Sequence, residues 1–264
     1  MLSPLGETLR RHDPDRFLTV LFAPEARRET LVTLYAFNHE LARAREVASQ
    51  SLLALMRLQW WREVVEGEAK GHEVATPLRA MLADGRLAAG DLLALIEARE
   101  AEVDGDFPTL EAWRDWLLAG AGGLSVAAGR ALGVTDDEVL RGLRLRGAAY
   151  GVAGLLRARL VLGRQGRAPW PTDHLAALDM TAEAAAADPT DARLLDLFAH
   201  LAEEGRGFLA QAQTCPKPPR AAIAASLPAV LARRDLRHLP AAEPRARGLG
   251  DRLAVTVAGL TGRV

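Results

Sequence analysis

Apolar residues recur at steps of three and four along most of the chain, the spacing that turns one face of a helix inward. Over 24–47 the series Leu31, Leu34, Tyr35, Phe37, Leu41 and Ala44 predicts a helix with one buried face. A second helix is predicted over 51–67, with Leu52, Leu55, Met56, Gln59 and Trp60 as its inward stripe and Gly67 as its end. Trp60 and Trp61 stand about 100° apart on such a helix, so one packs and the other reaches a groove or an interface. Shorter helical patterns fall near 75–84 and 89–103. Pro108 and Thr109 open another segment, carried by Leu110, Trp113, Leu117 and Leu118 into the small-residue run at 119–123. Thr135 and Glu138 have the capping-box spacing and predict the start of a helix reaching about 162. The Gly and Pro content of 163–173 predicts a loop. Further helices are expected at 190–213, 219–236 and 247–261. No alternating run supports a sheet, and no repeat or linker divides the chain. The expectation is an all-α, single-domain helical bundle over 1–264.

Composition narrows the function classes. Thirty-three basic and 34 acidic side chains nearly cancel, so no global field draws the protein to nucleic acid. Only Lys70 and Lys217 are lysines; the arginine excess reads as coding bias, although arginine also suits bidentate anion binding. Cys215 is the sole cysteine, which leaves neither an intrachain disulfide nor a thiolate metal cluster. The first residues carry no apolar signal region, and no apolar run is long enough to span a bilayer. The expected place is the cytoplasm, with peripheral contact at the inner membrane as its extension.

Three segments, in order, carry a resemblance: 21–41 with LQWWREVVEG at 58–67; the stretch from Asp104 through Trp113 to AGAGG at 119–123; and 148–171. With 227–239 they cover most of the chain, and together they resemble the squalene/phytoene synthase family. The resemblance implies an isoprenoid-synthase-type bundle with a central cavity, in which members join two prenyl diphosphates head to head. Facing aspartate-rich helices there hold Mg²⁺, which neutralises the departing diphosphate. Carboxylates four residues apart on one helix face can share one ion cluster.

On that alignment the first motif's aspartates fall on Ala42 and Glu46, with Arg43 between them. The second motif's metal-side positions fall on Gly154 and Ala158, leaving Glu46 as the one surviving carboxylate. Glu100 and Asp104 repeat the spacing but read as a solvated pair near a helix end. The strings AFNHEL at 36–41, LMRLQWW at 55–61 and LRA at 156–158 are most similar to the phytoene-synthase-like assembly factors of mitochondrial respiratory complex I. That resemblance implies a non-catalytic assembly factor or an isoprenoid- or lipid-binding scaffold, whose partner is a membrane-protein assembly intermediate. No cofactor is expected. The alternative is a divergent head-to-head prenyltransferase, which alone would call for Mg²⁺.

The cavity positions taken from the family motifs are Tyr35, Asn38, Ala42, Arg43, Glu46, Gly154, Arg157 and Ala158. Arg43, Arg62 and Arg157 are the candidate contacts for a diphosphate or other anion. By period alone Phe37 is a core aromatic, and Tyr35 divides evenly between core and cavity. Arg62 also fits a solvated helix position. The AGAGG run follows no strand, so it is a poor phosphate loop; small residues that let helices approach explain it better. Arg141, Arg144, Arg146, Arg157, Arg159, Arg164 and Arg167 form either a solvated face or a site for an anionic partner.

Overall fold

A computed structural model describes residues 3–46, 50–239 and 246–264; the side chains of Glu46 and Asp104 lie outside the described set. Two short helices outside the predicted set come first, α1 (Pro4–His12) and α2 (Pro14–Val20). Each starts where its composition allows. Ser3 Oγ accepts from the amide of Gly6, Asp13 Oδ1 accepts from that of Arg16, and a proline fills the first helical position in both.

The predicted helices follow as α3 (Glu25–Glu46), α4 (Ser51–Val65), α5 (Ala75–Ala83) and α6 (Ala89–Asp104). The predicted end of the first at 47 lies outside the described residues. α7 (Leu110–Ala119), capped by the Thr109 hydroxyl at 3.1 Å from the Ala112 amide, breaks at Gly120 into α8 (Ala121–Ala131). α9 (Asp137–Arg164) is the longest helix described. Its cap is Asp136, whose carboxylate accepts from the Val139 amide at 2.9 Å, and not the predicted Thr135. The loop after α9 holds two short helices, α10 (Thr172–Ala176) and α11 (Ala182–Ala187), before α12 (Leu194–Gln213).

The single helix predicted over 219–236 is divided into a 3-10 turn (Arg220–Ala225) and α13 (Pro228–Leu236). Pro228 explains the break, because it lacks an amide hydrogen and its ring displaces the carbonyl four residues earlier. α14 (Leu249–Thr261) closes the chain. Among the described residues there is no strand, only an isolated bridge between Phe107 and Pro171.

α9 runs through the middle, with α8 packed on one side and α12 and α13 on the other. The small-residue run makes the first of these contacts close. A Cβ added to Gly122 would fall 2.8 Å from the Arg144 carbonyl oxygen, and one on Gly147 would fall 2.4 Å from Ser125 Oγ. Trp113, Trp170 and Phe198 fill the core beneath, with Trp113 Nε1 donating to the Pro169 carbonyl at 2.9 Å. The predicted buried series of α3, from Leu31 to Ala44, is buried throughout.

α4 reverses its prediction. The buried face is Ala54, Leu58, Trp61, Val64 and Val65, while the expected inward residues Leu52 and Met56 are 65% and 60% exposed. The helix carries apolar residues on two sides, and periodicity identifies stripes without choosing which one packs. Trp61 is the packed tryptophan, edge-on to Phe37 at 5.4 Å, and Trp60 lines a surface groove with Met56, Arg57 and His72.

Candidate functional site

A cavity of about 320 Å³ opens where α2, α3, α6, α7 and α9 converge. Its lining is partly apolar, with Ala98, Trp116, Leu117 and Leu155, and partly polar, with Asp13, Asp15, Arg16, Asn38, Arg99, Glu102, Tyr150, Arg157 and Arg247.

Of the residues anticipated from sequence, the cavity gathers Asn38, Gly154 and Arg157. Asn38 Oδ1 accepts from Arg99 at 3.4 Å. Gly154 leaves a gap in the α9 wall, since a Cβ built there meets nothing within 4 Å. Tyr35 is buried outside the cavity lining, with the Arg16 guanidinium 5.7 Å from its ring centre. Burial pushes its phenol up to about 12, with the Arg16 charge opposing. Ala42 and Ala158 are half-buried and bring no polar atom. Glu46 ends α3, but its side chain lies outside the described residues.

Two candidate anion contacts are placed elsewhere. Arg43 pairs with Glu40 at 3.1 Å and lines the groove beside Trp60. Residues 38 and 43 lie five helical steps apart, about 140° around the axis, so Arg43 turns away from the side that Asn38 faces. Arg62 donates through one nitrogen to both Glu100 oxygens at 2.9 Å. Glu100, expected to be solvated, is thus held by an arginine.

The long arginine series also divides. Arg141 pairs locally with Glu138. Arg146 and Arg159 are buried and donate to the carbonyls of Ala212 and Leu156. Arg157 and Arg167 join the ion pairs at the cavity. The six arginines on α9 point in two directions roughly 150° apart, and Arg167 lies beyond the helix, so neither one solvated face nor a single anion patch describes them.

The charge balance of the cavity is the feature that the sequence did not reveal. Arg16 pairs with Asp13 at 2.7 Å, and Arg99 with Glu102 at 2.6 Å. Arg167, behind the wall, also reaches Glu102. Arg247 bridges Asp15 at 2.9 Å and Asp235 at 2.8 Å, and Arg157 meets Asp235 at 3.1 Å. Tyr150 completes the net by donating to Asp15 at 3.2 Å. Burial would lower the Arg16 and Arg247 guanidinium pKa values, but their aspartates outweigh it and raise both above the ordinary arginine range. Burial would likewise raise the Glu102 pKa, yet Arg99 and Arg167 hold it below the usual carboxylate range. Burial, reinforced by Asp13, pushes the Tyr150 phenol well up.

These residues do not fit the magnesium cluster that the family resemblance implies. Among the described residues no three His, Cys, Asp or Glu side chains are grouped so as to hold a metal ion. The cavity's acids each accept from an arginine, and Gly154 offers no oxygen. A carboxylate engaged by a guanidinium has its charge already compensated. The sequence signal available for this net was the cluster Arg11, Asp13, Asp15 and Arg16 around Pro14, four charges within six positions. Arg247 lies outside every motif.

The chain matches the squalene/phytoene synthase family model over residues 9–258. It is 28% identical over 157 residues to the mouse protein named NADH dehydrogenase (ubiquinone) complex I, assembly factor 6, which covers 58% of this chain and 47% of the relative. The human protein of that name is 26% identical over 172 residues, 63% of this chain and 52% of the relative. The chain thus spans about half the length of these relatives. Among solved structures it resembles a dehydrosqualene synthase in complex with ligand, with a TM-score of 0.77 at 11% identity over 98% of this chain and 94% of that one. It also resembles squalene synthase HpnC from Alicyclobacillus acidocaldarius, with a TM-score of 0.73 at 20% identity over 89% and 91%. At these identities the structural likeness establishes the fold.

Proposed function

We propose that this chain, which belongs to the squalene/phytoene synthase family, is a non-catalytic member that serves the assembly of a respiratory NADH dehydrogenase. In this reading the enzyme fold is kept as a scaffold. It works at the surface of the membrane that holds its partner, and its cavity can take one isoprenoid or other lipid of modest size. The observation that carries the reading is the self-neutralised cavity, in which arginines of the chain itself occupy the acids.

Departure of a diphosphate demands neutralisation of growing negative charge, and a metal supplies several kcal/mol of it. Each ~1.4 kcal/mol withheld costs about tenfold in rate. The arginines cannot substitute freely, since moving one onto a diphosphate strands a carboxylate in the wall. The cavity also sits at the lower end of the roughly 300–1,000 Å³ found for small-ligand pockets, whereas head-to-head joining needs room for two prenyl chains. The names of the mammalian relatives support the assembly role. No helix described is long and apolar enough to cross a membrane; in this reading membrane contact is made from the surface.

Two measurements test the proposal. Purified protein incubated with farnesyl or geranylgeranyl diphosphate and Mg²⁺ is expected to give no head-to-head product; clear product would reinstate the divergent prenyltransferase. Deleting the gene in its source cell is expected to deplete assembled NADH dehydrogenase from membranes. Unchanged enzyme levels would remove the assembly role.

A further inference from the structure

The helix α14 is apolar on two opposite sides, and among the described residues its own chain covers only one. On the inner side Val255, Ala258 and Gly259 are buried. The seat is close, because a Cβ on Gly259 would lie 2.4 Å from the Phe22 ring. On the outer side Leu249, Leu253, Val257 and Leu260 are 77%, 62%, 57% and 65% exposed. Steps of four, four and three place these residues in one stripe along the helix, about 17 Å long at 1.5 Å per residue. Single exposed leucines on a surface need no explanation, but an aligned apolar row does.

A groove of about 350 Å³ runs beside this helix, between it, α2 and α13. Phe17, Leu18, Leu21 and Leu231 line it together with Arg10 and Arg252. Its two carboxylates are already engaged. Asp15 is held by Arg247, and Asp251 by Arg234 at 2.7 Å and by the Gly248 amide at 3.1 Å. Among the described residues neither Arg10 nor Arg252 enters an ion pair. The surroundings of α14 therefore combine an apolar groove on its flank, an apolar ridge and two cations outside any ion pair among the described residues.

We infer that this face docks on an anionic lipid bilayer, with the α14 ridge entering the headgroup layer, an acyl chain in the groove, and Arg10 and Arg252 on lipid phosphates. The charge pattern selects this occupant. Apolar residues at an interfacial surface flanked by arginine are drawn both by area burial and by acidic lipid. A second copy meeting it by twofold symmetry would offer the same surface, whose groove carboxylates Asp15 and Asp251 are already engaged by Arg247 and Arg234, and so would bring Arg10 and Arg252 no free acid from this groove. The inference rests on the membrane position proposed above and gives it a surface distinct from the cavity. Vesicle binding without any effect of gene deletion on NADH dehydrogenase would remove the assembly role and leave this surface intact.

The test is sedimentation of the full chain with vesicles of phosphatidylcholine alone and of equal parts phosphatidylcholine and phosphatidylglycerol. The wild-type protein is expected to pellet with the mixed vesicles and to be released by salt. Leu253→Glu with Val257→Glu is expected to weaken binding about tenfold or more, since it puts charge into the apolar layer. Both positions are exposed, so the circular dichroism melt should hold. Arg10→Glu with Arg252→Glu, a second and independent variant, is expected to remove the preference for the anionic vesicles while leaving the melt unchanged. No pelleting with either vesicle, or equal pelleting by the Leu253/Val257 variant, would overturn the inference. So would a change of oligomeric state in that variant on size-exclusion chromatography, which would assign the ridge to a second copy.

Discussion

Arg247 offers the sharpest test of the self-neutralised cavity. It is 14% exposed and donates to Asp15 at 2.9 Å and to both oxygens of Asp235, itself 9% exposed, at 2.8 and 2.9 Å. Arg247→Met keeps the bulk of the stem and removes the charge. Among the described residues the variant leaves Asp15 with Tyr150 and Asp235 with Arg157. Stripping one partner from a buried ionic group costs about 3–5 kcal/mol. The surviving partners and the partial exposure of Asp15, at 21%, bring the expected loss toward ~3 kcal/mol. At about 2–4 °C per kcal/mol for a chain of this size, the melting temperature should fall by roughly 6–12 °C. Urea unfolding followed by circular dichroism gives the free energy directly. A double-mutant cycle with Asp235→Asn isolates the pair, because once the aspartate is neutral the arginine has less to hold. A loss below about 1 kcal/mol, the range of exposed pairs, would refute the account. So would an Arg247→Met penalty of full size in the Asp235→Asn background.

Two further outcomes follow from geometry already described. The Glu102 pKa lies below its unfolded value, so its ion pairs contribute stability above the ordinary carboxylate range and lose it as the pH falls through the folded value. Glu102→Gln should therefore flatten the acid limb of a stability-against-pH curve below about pH 4.5; an unchanged limb would show that its pairs with Arg99 and Arg167 contribute nothing. Gly147→Ala places a methyl 2.4 Å from Ser125 Oγ and 2.5 Å from the Ala121 carbonyl oxygen, and should cost about 1–3 kcal/mol by overpacking. A neutral result in urea unfolding would mean that α8 and α9 can separate freely.

Most of the helices were legible in the sequence because each buries one apolar stripe. The failures are as physical as the successes. α2 has too few residues for a period to show, whereas α1 did carry one in Leu5 and Leu9, buried four residues apart, beside the Ser3 and Asp13 caps that start the two helices. α4 offered two stripes, and the choice between them belongs to neighbours such as Phe37 that a local pattern does not contain. The cavity was half legible. Gly154 and Arg157 were reached through motif register, and the absence of carboxylates at positions 42, 154 and 158 was plain from residue type. The ion net was not, since it joins residue 15 to residues 235 and 247, and local spacing carries no information about such distant encounters.

That same junction sets an order on folding. Asp15 and Asp235 lie more than two hundred positions apart in the chain, and both turn toward one spot near Arg247. Until residue 247 has been synthesised the two acids would face one another without their shared cation. The ionic latch on Asp15 should therefore close only after residue 247 has emerged, while α1 and α2 can already pack on α3 through Leu5, Leu9 and Val20.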